Sequence, residues 1–212
     1  MDPIVHHSVV RSYARQARVY DRLFKNYLDG TLSTALDLME LKGHERILDV
    51  ACGTGELERK IFEVYPKQIV EGIDISEEML RLARIKLLQF PQLNLVCGDS
   101  RHLPFPNNRF DIVVSCSAFH YMREPQKVLA EAARVLKPGG KLIIIDWCYD
   151  FLFGKIYHRF RRIFFPSHYR VYGLAELQDM MRTAGLTPTT HDTFSVQFTW
   201  RMMGVVSVKV AD

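Results

Sequence analysis

An α/β fold with a mostly parallel sheet covered by helices on both faces is predicted by three observations. Short apolar segments alternate with helix-patterned ones from about residue 45 to 147. Those apolar segments are nearly continuous rather than alternating, as strands buried on both faces require. The first three end in an acidic or glycine-containing turn, and ligands of such sheets bind beyond the carboxyl ends of the strands, near the reversal of strand order.

The elements follow in order. Residues 8–28 and 31–42 carry apolar side chains three and four apart and read as two helices, an N-terminal helical cap over 1–42. RILDVA is a first strand, running into Gly53-Thr54-Gly55 and a helix from about 56 to 65. IVEGID is a second strand. SEEMLRLARIKLLQF is a helix with Ser76 as N-cap and two glutamates in its first turn. LNLVC ends at Gly98-Asp99, and FDIVVS follows the proline-rich LPFPNN loop. Pro125 suits the first position of the next helix, which stops at Lys137-Pro138-Gly139-Gly140 before the strand KLIIIDW. A helix over 174–185 with Gly185 at its end and two β-like stretches, about 187–194 and 203–210, complete the chain.

Composition narrows the class. With 212 residues the chain is long enough for one well-buried domain and short for two. A hydrophobic share of 48% with 25% charge belongs to an ordinary soluble globular protein. No apolar run has the span of a membrane helix, since KLIIIDWCYDFLFG is broken by Asp146 and Asp150. The N-terminus lacks the basic start and apolar core of a secretory signal, and the four cysteines form no CxxC pair, so a reduced cytoplasmic setting is expected. Cys52, Cys97, Cys116 and Cys148 each fall at a predicted strand end. Strand ends fan out about 4.8 Å apart, so four sulfurs there do not converge on one ion, and no metal is expected. They are expected to be small buried packing residues near the ligand.

The formal charge of +4 is concentrated. Residues 151–170 hold five Lys/Arg and no Asp or Glu, leaving the rest of the chain close to neutral. On a helical projection Phe153, Ile156, Phe160, Ile163 and Phe164 share one side, and Lys155, Arg159 and Arg162 another. Three readings stay open: a lid over an apolar acceptor, a weak membrane-surface contact through 151–165, and a helix packed on the sheet with its cations solvated.

The glycine turn in ILDVACGTGELE decides the ligand. A dinucleotide fingerprint needs a third glycine where this chain has Glu58, and the turn lacks the Gly-Lys-Ser/Thr of a P-loop. Asp49, four residues before Gly53, repels a pyrophosphate and favours a cation. Asp74 closes the second strand, where a carboxylate accepts ribose hydroxyls, and Asp99 closes the third, where it suits an adenine amino group. S-adenosylmethionine offers those groups without a phosphate.

DVACGTGELE, EGIDIS, CGDSRHLPFPNNRFDIVVS and RVLKPGGKLIIID, in that order and spacing, resemble a class I S-adenosylmethionine-dependent methyltransferase, most of all the small-molecule branch with the ubiquinone and menaquinone C-methyltransferases. The resemblance implies a Rossmann-like, seven-stranded, mostly parallel sheet with an antiparallel edge hairpin, and a single domain over 1–212 with its cofactor-binding core at 45–147. It implies that Ala51, Gly53 and Gly55 admit the methionyl part, that Asp49 orients its amino group, and that Asp74 holds the ribose. Ile75 and Met79 would flank the adenine, and Gly98, Asp99 and Ser100 would meet its edge. A small hydrophobic or aromatic acceptor is expected. SCSAFHYM departs from the Gly-Leu-Arg-Asn run of the quinone enzymes, and Ser115-Cys116-Ser117-Ala118 departs from the Asn/Asp-Pro-Pro-aromatic motif of nucleic-acid amine methyltransferases, so no nucleic-acid partner is expected. His120, just after the fourth strand, is the candidate catalytic base, with Tyr20, Tyr121, His158 and His168 as acceptor-side candidates. The alternative is a methyltransferase fold that binds the cofactor as a regulatory or partner-binding module.

Overall fold

The computed structural model describes residues 24–150, 170–196 and 200–210. Tyr20, His158, His168, the first predicted helix up to residue 23, and all of the basic aromatic segment but Arg170 lie outside the described residues.

Seven strands form one sheet in the order β3-β2-β1-β4-β5-β7-β6. They are β1 (Arg46–Val50), β2 (Ile69–Asp74), β3 (Leu93–Cys97), β4 (Phe110–Cys116), β5 (Leu136–Trp147), β6 (Leu186–Val196) and β7 (Trp200–Lys209). β1 to β5 pair in parallel; β7 is antiparallel to both β5 and β6, the expected edge hairpin. The strand order reverses between β1 and β4, and that junction sets the position of the ligand crevice.

Period-two alternation explains why the strands read as unbroken apolar runs. Along β5, Leu142 and Ile144 join one core while Ile143 and Ile145 join the other; along β4, Val113 opposes Ile112 and Val114. The helices α1 (Lys25–Met39) and α2 (Glu56–Val64) cover one face. The helices α4 (Pro125–Val135) and α5 (Leu174–Thr183) cover the other, and α3 (Glu77–Lys86) lies on β2 and β3.

Several boundaries move. The predicted break between residues 28 and 31 is absent: α1 runs straight through Gly30. The glycine serves close packing instead, because a Cβ there would stand 3.2 Å from Val196 Cγ1. The helix also ends at Met39, before residue 42, with Glu40 in the left-handed region at φ 51°. β5 begins at Leu136, earlier than expected, because Leu136 pairs with Phe110 before a register shift that accommodates Pro138-Gly139-Gly140. Ser76 caps α3 as anticipated, its Oγ accepting from the Met79 N–H at 3.4 Å. The hairpin strands are longer than the two β-like stretches suggested.

Candidate active site

The carboxyl ends of β1 and β4 turn away through strained backbone. Ala51 and Ser117, non-glycine residues, both take positive φ (65° and 55°) directly after the strands that flank the order reversal. Such left-handed residues cost on the order of 1–3 kcal/mol and collect at ligand sites. Ala51 N–H is held by the Ile73 carbonyl at 2.7 Å, which ties the β1 turn to the end of β2.

The two glycines of the turn serve different ends. Gly53 has φ 56° and a Cβ built there would meet nothing within 4 Å, so this side of the turn is open to a ligand. Gly55, φ 80°, would drive a Cβ to 2.8 Å from Leu87 Cδ1 and 3.2 Å from Ala83 Cβ. Its smallness lets α2 start against the end of α3; only Gly53 presents the open face.

Three carboxylates gather beneath this turn. Asp74 Oδ2 accepts the Gly53 N–H at 2.9 Å and Oδ1 accepts the Ser76 N–H at 2.8 Å, so Asp74 builds the turn as well as facing it. Burial pushes its carboxyl up against the pull of those N–H groups. Asp49 is buried, and among the described residues its Oδ1 meets no hydrogen-bond partner; burial, then the Glu58 and Asp74 charges, drive its carboxyl well above the usual range. Glu58, fully buried, has neither oxygen partnered among the described residues, and desolvation lifts it to about 7. It fits because Gly72 has no side chain: a Cβ there would stand 2.8 Å from Glu58 Oε1. Buried carboxylates without donors favour a cationic ligand. An ammonium and a sulfonium beside an open Gly53 suit this set of acceptors, whereas a phosphate does not.

The adenine-side candidates line up along β2 and β3. Ile75 is exposed and Met79 buried; the Gly98 N–H donates to the Asp74 carbonyl at 3.0 Å. The Asp99 carboxylate is clasped by Arg101, whose Nη2 lies 2.6 Å from Oδ2 and which also pairs with Glu124. The Arg101 guanidinium holds Asp99 below the usual carboxylate range, and this partner was not apparent from the motif. Ser100 is half-buried beside it.

His120 sits in a short 3₁₀ turn, Phe119–Tyr121, above β4. Its Nδ1 lies 2.6 Å from Asp146 Oδ1, its backbone N–H donates to Asp146 Oδ2 at 2.8 Å, and its ring stacks on Trp147 at 4.2 Å and 15°. Tyr121 lies tilted 4.0 Å from the same imidazole. Trp147 Nε1 donates to the Tyr27 hydroxyl at 2.9 Å, and that hydroxyl meets Ser117 Oγ at 2.7 Å. Sequence reasoning missed Asp146, Trp147, Ser117 and Tyr27 here. Asp146 at a strand end was the one available signal.

The cysteines divide. Cys52 and Cys148 are buried, Cys116 is half-buried, and Cys97 is exposed on the edge strand, contrary to the expectation of four buried packers.

Known proteins bear on this geometry. The methyltransferase-domain family profile matches residues 48–144. A demethylmenaquinone methyltransferase of Listeria monocytogenes is 31% identical, over 79% of this chain and 82% of the relative. This chain belongs to the class I S-adenosylmethionine-dependent methyltransferases. The demethylmenaquinone methyltransferase of Bacillus licheniformis is 26% identical over 84% of this chain and 90% of its own. Among solved structures, a methyltransferase of Haloferax volcanii in complex with the Trm112 activator superposes with a TM-score of 0.83 at 23% identity, covering 95% of this chain and 98% of that one. The [4+2]-cyclase SpnF superposes at 0.75 with 19% identity over 87% and 81%. As a methyltransferase, the chain takes S-adenosylmethionine as its cofactor. The glycine turn, Asp49 and Asp74 fit its cationic methionyl and ribose parts, and the cofactor supplies a methyl carbon on an activated sulfonium leaving group.

Proposed function

We propose that this methyltransferase alkylates a small hydrophobic or aromatic acceptor seated over the carboxyl ends of β4 and β5. The observation that carries the reading is the aromatic wall there: Trp147 stacked on His120, with Tyr121 and Tyr27 alongside. His120 and Tyr27 are buried behind it, and the half-buried Trp147 and Tyr121 offer flat aromatic area with few polar points, as small-molecule sites do. The relatives named for demethylmenaquinone support an acceptor of this kind.

The division of labour follows. Ala51, Gly53 and Gly55 shape the methionyl seat, Asp49 orients the amino group, and Asp74 receives the ribose hydroxyls. Ile75 and Met79 flank the adenine while Gly98, Asp99 and Ser100 meet its edge. Tyr121 faces the acceptor with His120 behind it, and Tyr20, His158 and His168 remain acceptor-side candidates. Transfer is an in-line displacement, so the protein's tasks are alignment and exclusion of water. The test is incubation with methyl-labelled S-adenosylmethionine and a lipid and small-molecule extract. Label in an organic-soluble aromatic product is expected; label confined to the cofactor rejects the reading.

A second reading, work with a protein partner, is favoured by the edge at β3. Among the described residues β3 pairs only with β2, and Ile75, Ile85 and Leu88 are exposed near it. A free edge beside apolar side chains can accept a strand from another chain. Co-expression with a Trm112-type activator should yield a complex on size exclusion, and separate elution removes this reading.

A further inference from the structure

We propose that Glu58 makes the cofactor seat selective for charge: it gives up a proton as S-adenosylmethionine binds, and its carboxylate then favours the sulfonium over the neutral thioether product. The inference rests on the placing of the methionyl group over Gly53 and Asp49 given above, and owes nothing to the acceptor.

The sheet brings the residue to the seat. Asp49 and Gly72 are register partners on the parallel strands β1 and β2. Ile47 and Val70, two residues earlier on each strand, pack in the core that α2 covers, so Asp49 and Gly72 share that face. α2 lays Glu58 into the space Gly72 leaves. A Cβ on Gly72 would stand 2.8 Å from Glu58 Oε1 and 2.9 Å from Cys52 Sγ, which puts Glu58 just behind the glycine turn.

Glu58 is fully buried, yet neither of its oxygens meets a hydrogen-bond donor among the described residues, and Asp49 Oδ1 is in the same condition. The charged side chains acting on the two acids are Asp74 at the end of β2, Glu56 on α2 itself and Lys86 on α3. Lys86 is itself paired with Glu56. The Cys52 and Cys116 thiols also feel the Glu58 charge. A position that needed only volume would hold leucine or methionine at lower cost, because an unpaired buried carboxyl group loses its water without replacement.

The cofactor brings two positive charges to this cluster, an ammonium and a sulfonium. Glu58 touches no ligand: having no exposed surface it acts through space, and a charge in a low-dielectric interior is felt well beyond contact. Before the cofactor binds, desolvation lifts the Glu58 carboxyl to about 7, so the seat holds a proton in acid solution. The incoming charges favour the ionised form, and the proton passes to water. The free protein therefore carries more protons than the complex below about 7, and affinity rises with pH through that value. Methyl transfer leaves the carbon–sulfur electron pair on sulfur as a neutral thioether. One positive charge is lost from the seat while the carboxylates stay, which weakens the hold on S-adenosylhomocysteine.

The experiment is titration calorimetry of the full chain with S-adenosylmethionine and S-adenosylhomocysteine at pH 6 and pH 7.5, in buffers of differing ionisation enthalpy. Wild type, Glu58→Gln and Asp49→Asn are compared, with Glu58→Met as a second neutral variant that fills the same space. At pH 6 wild type should release about one proton more per cofactor bound than Glu58→Gln. The ratio of wild-type to Glu58→Gln affinity should rise about eightfold from pH 6 to pH 7.5, as the ionised fraction of an acid titrating near 7 does. Taking the ratio cancels the titration of the cofactor's own amino group. At pH 7.5 the preference for cofactor over product should fall at least about fivefold in Glu58→Gln. A wild type that releases no proton at pH 6 overturns the proposal without any variant. Proton release equal in wild type and both neutral variants, or an unchanged preference between cofactor and product, overturns it while the methionyl seat stands. Undiminished affinity in Asp49→Asn removes that seat, and the proposal with it.

Discussion

Glu58 carries a carboxylate into the interior without a donor for either oxygen among the described residues. It stands where a dinucleotide fingerprint has a glycine, and desolvation raises it from an ordinary 4.5 to about 7. Between those values the folded chain keeps a proton that the unfolded chain has released. The contribution of Glu58 to stability is therefore greatest below about 4.5 and is lost as pH rises through 7, by on the order of 3 kcal/mol in all. Glu58→Gln removes the ionisation while keeping the shape. Its melting temperature relative to wild type should rise between pH 5 and pH 8, and an offset that is the same at both values would refute the assignment. Asp74 invites a different test. Because it accepts the Gly53 and Ser76 N–H groups, Asp74→Ala should weaken cofactor binding and loosen the turn together. Calorimetry with S-adenosylmethionine should show at least about a tenfold loss of affinity, the size of one charge-assisted hydrogen bond. The motif exposed all three acids in the sequence, but their convergence below one turn was not written there. It depends on β1 and β2 lying side by side and on α2 burying Glu58 against Gly72.

At the scale of elements, α1 shows where local reading stops. Asp29-Gly30 looks like a helix break, and in an isolated peptide it would weaken the helix by about 1 kcal/mol relative to alanine. The structure keeps the helix whole because Val196 of β6 closes on the missing side chain. Gly30→Ala should thus be near neutral in the wild-type background, gain in helix propensity being offset by the contact. In a Val196→Ala background the same change should stabilise by about 1 kcal/mol, read as the coupling in a double-mutant cycle of urea unfolding. The contact partner is 166 residues further along the chain, so no local window could reveal it. Strands and caps were far more legible. IVEGID and LNLVC coincide with β2 and β3, Ser76 caps α3 and Pro125 opens α4, since each depends on a residue's own conformational preference.

Over the whole molecule, the cofactor and the fold are linked. Ligand at 100 times its Kd stabilises the folded state by about 2.7 kcal/mol. For a chain of this size that corresponds to a rise of roughly 5–10 °C in Tm, measurable by thermal shift with S-adenosylmethionine. NAD should leave the melting temperature unmoved, since a pyrophosphate meets Asp49 and the other buried acids. The sequence by itself determined the α/β class and the places of the five core strands along the chain, and it pointed to a cationic ligand at the glycine turn. Those depend on period, turn chemistry and charge, which are local properties. Only the tertiary structure decided that Gly53 is open while Gly55 is packed, that Arg101 clasps Asp99, and that Asp146 fixes His120. Each is a contact between elements distant along the chain or between neighbours whose directions the backbone sets. The reason is geometric: a parallel sheet brings successive strand ends to one rim only after its crossovers close, and the proposed acceptor side lies on that rim.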